Sequence, residues 1–257
     1  MSISVVMITL NEEVNIEACL DRVTWADEIV IMDGGSRDRT ISKARKYTDK
    51  VYQQPFRDFA SQKNAVIAQA SRDWIFLLDA DEHVIPELQQ EIQQIAKGIR
   101  TDAVYSVGRE TYFFGKRLRF SGTREDYPIR LFPRGRAYLE QPVHEKIVTD
   151  LPVRRLKNRL IHWSTRDFSH YRQKLNCYVP LEIDAMRERG KQPTALDILV
   201  RPIGRFASLY FWKLGILDGW PGLQFAFLSA SYTFLKYRRF SQTRNPQNPA
   251  ISASSSQ

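Results

Sequence analysis

Cysteine is nearly missing from this chain of 257 residues, with Cys19 and Cys177 the only two. Two cysteines cannot build a disulfide framework or a Cys-rich zinc site. They fit a reducing compartment, where lone cysteines are small buried apolar residues. Glycine and proline number 12 each, which excludes collagen-like and low-complexity chains. No glycine-rich phosphate cradle of the GxGxxG or GxxxxGK[ST] type occurs, and no GxSxG nucleophile elbow, so dinucleotide-binding, P-loop and α/β-hydrolase readings lack their defining loops. Met1–Leu10 has no basic residue and runs into Asn11, Glu12 and Glu13, so a secretory signal is not expected there. Long apolar runs are short of a membrane span as well. The stretch 206–217 is broken by Lys213, and 219–235 opens on Gly219-Trp220-Pro221-Gly222.

What is present is unevenly spread. Residues 1–99 hold 11 Lys and Arg against 16 Asp and Glu, net −5, and residues 100–257 hold 27 against 13, net +14. A basic half points to an anionic partner: nucleic acid, an acidic membrane or a phosphorylated substrate.

Ile3–Leu10 is a continuous β-branched apolar run, as in a strand buried on both faces of a parallel sheet. Asn11 is positioned to cap a helix carrying Val14, Ile16, Cys19, Leu20 and Val23. Strands are expected at 28–33, 51–52 and 74–78, with helices over 38–46, 59–70 and from Pro86 to Lys97, ended by Gly98. Strand alternating with helix four times predicts an α/β domain with a mostly parallel sheet. A fifth strand is expected at 103–107. Residues 109–136 read as loops and edge strands, such as 129–132, and helices return from about Asp167.

In such sheets ligands bind beyond the carboxyl ends of the strands. Three ends carry polar clusters: Thr9-Leu10-Asn11-Glu12, Asp33-Gly34-Gly35-Ser36-Arg37-Asp38 and Asp79-Ala80-Asp81-Glu82. Asp79 and Asp81, two apart beyond an apolar strand, repel unless a cation neutralises them. Hard oxygen ligands favour Mg²⁺ or Mn²⁺ shared with substrate phosphates. The bland alternative is that Asp81 or Glu82 only caps the Pro86 helix. His144-Glu145 is a second candidate pair, and Val148 rules out a zincin motif there.

Taken in order, Thr9-Leu10-Asn11-Glu12, Asp33-Gly34-Gly35-Ser36 with Asp38, Gln62-Lys63-Asn64 and Leu78-Asp79-Ala80-Asp81-Glu82 resemble the family 2 glycosyltransferases of the GT-A fold, over residues 1 to about 150. Arg130-Leu131-Phe132-Pro133 and Val143-His144-Glu145 resemble its bacterial lipopolysaccharide-core glucosyltransferase subgroup. The resemblance implies a nucleotide-sugar-binding sheet flanked by helices, with Asn11 and Glu12 lining the nucleotide pocket and Asp33 accepting from the base. Lys63 and Asn64 would lie near ribose and diphosphate, and Arg130 would join Asp79 in holding the donor. Asp79 and Asp81 would form the metal motif on the diphosphate, His144 would complete the shell of Mg²⁺ or Mn²⁺, and Glu145 would be the general base. Glu125-Asp126 offers a second place for that base. With one base opposite the leaving group, displacement inverts the anomeric centre.

The domain expectation is a transferase domain over 1–165, an apolar helical extension over 166–240 and a disordered tail over 241–257. Two short helices within 206–235 are expected to lie on an anionic membrane surface, with Tyr210, Phe211, Trp212, Trp220 and Tyr232 at the interface and Lys236, Arg238 and Arg239 on head groups. Localisation is then cytoplasmic, peripheral on the inner face of the cytoplasmic membrane, with a lipid-linked or lipopolysaccharide-core acceptor. Rival readings are transfer to polyprenyl phosphate, which needs no strong base, and nucleic-acid binding through the aromatics and arginines of 112–119. No nucleic-acid module is recognisable, so no nucleic-acid partner is expected.

Overall fold

A computed structural model describes residues 1–98, 102–143 and 145–243. The chain forms two compact units, residues 1–119 with 123–166, and residues 120–122 with those from 167 on. The first unit runs β1 (Ile3–Thr9), α1 (Ile16–Leu20), β2 (Glu28–Asp33), α2 (Thr40–Ala44), β3 (Val51–Gln53), α3 (Phe59–Gln69), β4 (Trp74–Asp79), β5 (Glu82–His83), α4 (Pro86–Lys97), β6 (Val104–Phe113), β7 (Lys116–Arg117), β8 (Ile129–Pro133), β9 (Tyr138–Glu140), β10 (Lys146–Val148) and β11 (Val153–Thr165).

The main sheet is ordered β3-β2-β1-β4-β8-β6-β11-β5, with β7 paired to β6. β3, β2, β1 and β4 are parallel, β8 runs antiparallel to both its neighbours, and β6 and β11 are parallel to each other. This is the expected α/β architecture, a mostly parallel sheet flanked by helices. β1 lies between two parallel partners, and its alternate side chains enter two cores, Ile3, Val5 and Met7 on one face and Val6 and Ile8 on the other, so its sequence is largely apolar. β4 splits its side chains by strand alternation. Trp74, Phe76 and Leu78 join Ile16 and Leu20 of α1 and Leu88 and Ile92 of α4, while Ile75 and Leu77 join Val66 of α3 and Phe132 of β8. In α4, Pro86 opens the helix, and Leu88, Ile92 and Ala96 recur every fourth residue on its buried face.

Several expectations are corrected. Asn11 caps no helix: it takes a left-handed backbone (φ 56°), and α1 begins only at Ile16. α2 spans five residues rather than nine. β8 is interior, between β4 and β6, and not an edge strand. β6 extends to Phe113, and the 13-residue β11 was not anticipated, because its Arg- and Lys-rich sequence hides the strand pattern. The bland alternative for the acidic turn is also excluded, since Ile85 holds the N-cap position of the Pro86 helix.

The second unit contains α5 (Phe168–Glu188), α6 (Ala195–Ala207) and α7 (Trp220–Thr243). Asp167 caps α5 by accepting from the His170 N–H (2.8 Å), and Thr194 with Asp197 forms a capping box on α6. Leu175, Val179, Ile183 and Met186 of α5 pack with Tyr237 and Phe240 of α7. Between α6 and α7 lie a π-helical turn (Ser208–Trp212) and a 3₁₀ turn (Gly215–Asp218). The two short helices expected in 206–235 are therefore replaced by tight turns and one helix of 24 residues. Pro221 and Gly222 sit in the first turn of α7, where proline is tolerated. A Cβ on Gly222 would stand 1.9 Å from the Gly215 carbonyl oxygen, so glycine is required there. Tyr232 and Lys236 do not reach outward as expected, because both bond Glu182 of α5 (2.7 and 2.5 Å). No helix among the described residues is long and apolar enough to cross a membrane. Of the tail expected over 241–257, residues 241–243 close α7, and 244–257 lie outside the described residues.

Candidate active site

Parallel pairing brings the three acidic strand ends together. Thr9 stands opposite Asp33, and Ile8 opposite Asp79. Asp33 is fully buried and turns the chain back on itself. One oxygen accepts from Gly35 N (2.9 Å) and Ser36 N (2.7 Å), the other from the Thr9 and Ser36 hydroxyls (3.0 and 2.5 Å). Gly35 has φ +102°, which the turn needs, and Gly34 lies so close to Phe56 that a Cβ would be 3.0 Å from it. Asn11 braces the same turn, its N–H donating to Ser36 Oγ (2.8 Å) and its Oδ1 accepting from Arg37 N (2.9 Å). Glu12 N donates to Thr40 Oγ1, and the Glu12 carboxylate accepts from Asn15.

α3 carries the next two residues. Asp58 caps it, accepting from Ser61 N (2.8 Å). Asn64 spends its whole amide on one backbone residue, donating to Leu139 O (2.8 Å) and accepting from Leu139 N (2.9 Å). With the bond from Phe59 N to Pro142 O, this docks the β9–β10 hairpin against α3. The docking delivers Glu145, just ahead of β10, to Lys63. Buried Lys63 bridges two carboxylates, Glu145 and Asp79 (3.1 Å).

Asp79 is the hub. Its second oxygen faces Arg130 (2.5 Å) and Arg109 (3.5 Å). Burial raises its pKa, but Arg130, Lys63 and Arg109 outweigh that and hold the carboxyl well below the usual range. Glu82, fully buried, accepts from Asp79 N (3.0 Å), and its other oxygen pairs with Arg130 (2.5 Å) and Arg109 (2.8 Å). Arg130 Nε is buried with no hydrogen-bond partner among the described residues. Arg109 reaches on to Asp126 (3.2 Å). Glu145, Lys63, Asp79, Arg109 and Asp126 thus form one continuous charge network, and both candidate bases belong to it. Glu125, beside Asp126, is exposed.

Asp81 lies at the edge of this network, nearly buried, its carboxylate 3.5 Å from His162 Nε2 and its carbonyl accepting from Trp163 N (2.8 Å). Nearby His83 accepts from Trp163 Nε1 (3.0 Å), and burial with Arg22 lowers its pKa to about 4. His144 lies outside the described residues. Among the described residues no three His, Cys, Asp or Glu side chains form a ready cage for a metal. Both oxygens of Asp79 already face cations. The chemistry fits a divalent cation held by Asp81 together with substrate oxygens, the usual arrangement for Mg²⁺ on phosphates. Two sequence expectations shift accordingly: Arg130 supports Asp79 and Glu82 from inside the sheet, and Asn64 holds the hairpin. Sequence reasoning missed Arg109 and the anchoring role of Glu82. The adjacency of Glu82 to the Asp79-Ala80-Asp81 motif was its only signal. Cys19 is fully buried and its thiol is pushed up by burial and the surrounding carboxylates, so it is inert. In the aromatic stretch 112–119, Tyr112 packs on Trp163 (4.7 Å) and Phe113 is buried, so neither ring is presented for stacking on bases.

An α/β sheet with this acidic site is, by its match to known sequences, a glycosyltransferase. The chain belongs to glycosyl transferase family 2, whose model matches residues 4–162. It is similar to the lipopolysaccharide core biosynthesis glycosyltransferase LpsC of Rhizobium meliloti, 29% identical over 92% of this chain and 93% of that one. It is also similar to an uncharacterized glycosyltransferase of Rickettsia bellii, 24% identical over 96% of this chain and 89% of the relative. Among solved structures, it shares 23% identity with glucosyl-3-phosphoglycerate synthase of Mycobacterium tuberculosis in complex with Mg²⁺ and uridine diphosphate, at a TM-score of 0.37 over 42% of this chain and 43% of that one.

Proposed function

We propose that this glycosyltransferase moves a hexosyl group, with inversion, from a UDP-linked sugar to a hydroxyl of a lipid-linked or lipopolysaccharide-core acceptor, on the inner face of the cytoplasmic membrane. The acceptor class follows the relative that spans nearly the whole of both chains. The observation that carries the reading is Lys63, which joins the acidic strand end at Asp79 to Glu145. This contact supports a reading in which the donor site and the base lie side by side.

Asn11, Glu12 and the Asp33 turn shape the nucleotide end of the pocket. Arg109 and Arg130 offset the charge of Asp79 and Glu82, so these carboxylates do not repel an incoming diphosphate. Lys63 presents its ammonium toward that diphosphate. A divalent cation, Mg²⁺ or Mn²⁺, held by Asp81, with His144 as a further ligand, would take up charge on the leaving group. Glu145 accepts the acceptor's hydroxyl proton. The acceptor oxygen bonds the anomeric carbon as the bond to the diphosphate breaks, and the electron pair leaves with UDP.

Glu145→Gln is expected to lower kcat by about 10²–10⁴-fold with little change in donor Kd. Asp126→Asn is the paired control. If Asp126→Asn alone shows that loss, Asp126 is the base. If both variants keep full turnover on a polyprenyl phosphate, the acceptor is already ionised and the hydroxyl reading fails.

A further inference from the structure

α6 has no buried residue at all. Its Leu196, Leu199, Val200 and Ile203 are 53–68% exposed. At 3.6 residues per turn these four fall within an arc of about 100°, the stripe by which an amphipathic helix normally meets a core. The opposite side is already used: Ile198 packs on the α5–α7 core, and Arg201 pairs with Asp197 (2.6 Å) and lies over the Tyr237 ring (5.1 Å). The helix is therefore held in place by one face and offers the other, wholly aliphatic face outward. The turns that follow continue the pattern, with Phe211, Trp212, Leu214, Ile216, Leu217 and Trp220 all about half exposed or more, Trp212 at 88%.

We propose that the outer face of α6, with the adjoining turns, is the surface by which this protein lies on an anionic lipid bilayer. At 13 residues α6 is about 20 Å long, too short to span a bilayer but suited to lie in the interface plane. Trp212 and Trp220 are the residue type that settles at headgroup level. Charge selects the bilayer over a second copy of the chain. Residues 194–243 hold six Lys and Arg against two carboxylates, Asp197 and Asp218. Both carboxylates are spent locally, Asp197 on Thr194 and Arg201, Asp218 on the Phe120 N–H and the Ser121 hydroxyl. Lys213, Arg238 and Arg239 have no carboxylate partner among the described residues. A symmetric dimer through this surface would set cations near cations, whereas anionic headgroups complement them. The surface identifies where a lipid-borne acceptor of the proposed transferase would be met, so in that respect it rests on that reading.

The test uses the full chain with vesicles of phosphatidylcholine alone and of phosphatidylcholine mixed with phosphatidylglycerol, read by flotation. Binding is expected only to the mixed vesicles and is expected to weaken in high salt. Leu199→Asp with Ile203→Asp should reduce it by about tenfold or more. Both positions are exposed, so the variant should keep its far-UV circular dichroism. Trp212→Ser, outside the helix, gives a second reading, a smaller loss in the same direction. Equal binding to neutral vesicles, or mixed-vesicle binding that ignores all three substitutions, overturns the proposal. So does a lipid-free dimer, seen by sedimentation, that Leu199→Asp with Ile203→Asp dissolves. UDP-sugar binding is measured on the same samples: its absence in wild type would count against the transferase reading and not against this surface, and the variants are expected to match wild type.

Discussion

Glu82 and Glu28 show how single carboxylates are made to belong in a buried sheet. Glu82 is surrounded by two arginines and a backbone N–H, so its charge is matched at no exposure. Glu28, at the start of β2, accepts from Ser4 Oγ, Ser71 N and Ser71 Oγ and pairs with Lys50. Burial raises its pKa, but these donors prevail and lower it to about 2 from 4.5. A carboxyl lowered on folding stabilises the native state fully above its unfolded pKa. That contribution is lost as pH falls from about 4.5 toward about 2. Wild type should therefore exceed Glu28→Gln in urea stability at neutral pH, with the gap narrowing through that acid window. A gap independent of pH would show that the ion pair and hydrogen bonds of Glu28 are not its source.

At the scale of elements, β8 and α3 decide where the site residues stand. β8 fills the space between β4 and β6, so Arg130 on it is carried to Asp79 and Glu82, and Phe132 is fully buried beside Ile75 and Leu77. Phe132→Ala should cost about 3–5 kcal/mol, the penalty of a core cavity, measured as a lowered urea midpoint. An edge strand, as its sequence suggests, would lose far less. α3 acts differently, by docking the hairpin through Asn64 so that Glu145 meets Lys63.

For the whole molecule, the charge imbalance between the front and back of the chain is partly repaid by folding. Arg109 and Arg130 come from the basic stretch and pair with Asp79 and Glu82 of the acidic one. They are thus withdrawn from any external anionic partner. Stability of the whole chain also reports its ligand, since whatever binds only the native state raises Tm. UDP with Mn²⁺ should raise Tm, and chelation should abolish the rise. Asp81→Asn should keep the ligand-free Tm near that of wild type and lose the metal-dependent increment. A full increment in that variant would remove Asp81 from the metal site.

The alternation of strand and helix, the buried parallel strands and the acidic strand ends were all legible in the sequence. Each depends on local periodicity and on turn chemistry within a few residues, as in Ile3–Thr9, Glu28–Asp33 and Pro86–Lys97. The family motifs were legible for the same reason. Tertiary structure alone decided the rest. Arg109, Glu82 and Asp126 become neighbours only because β6, β5 and the segment before β8 converge in space, and no spacing along the chain encodes that. β11 is rich in Arg and Lys, and only its long pairing with β6 makes it a strand. The aliphatic stripe of α6 was written in the sequence, but a stripe has the same pattern whether it faces a core or water. Only packing determined which side of that helix was left open.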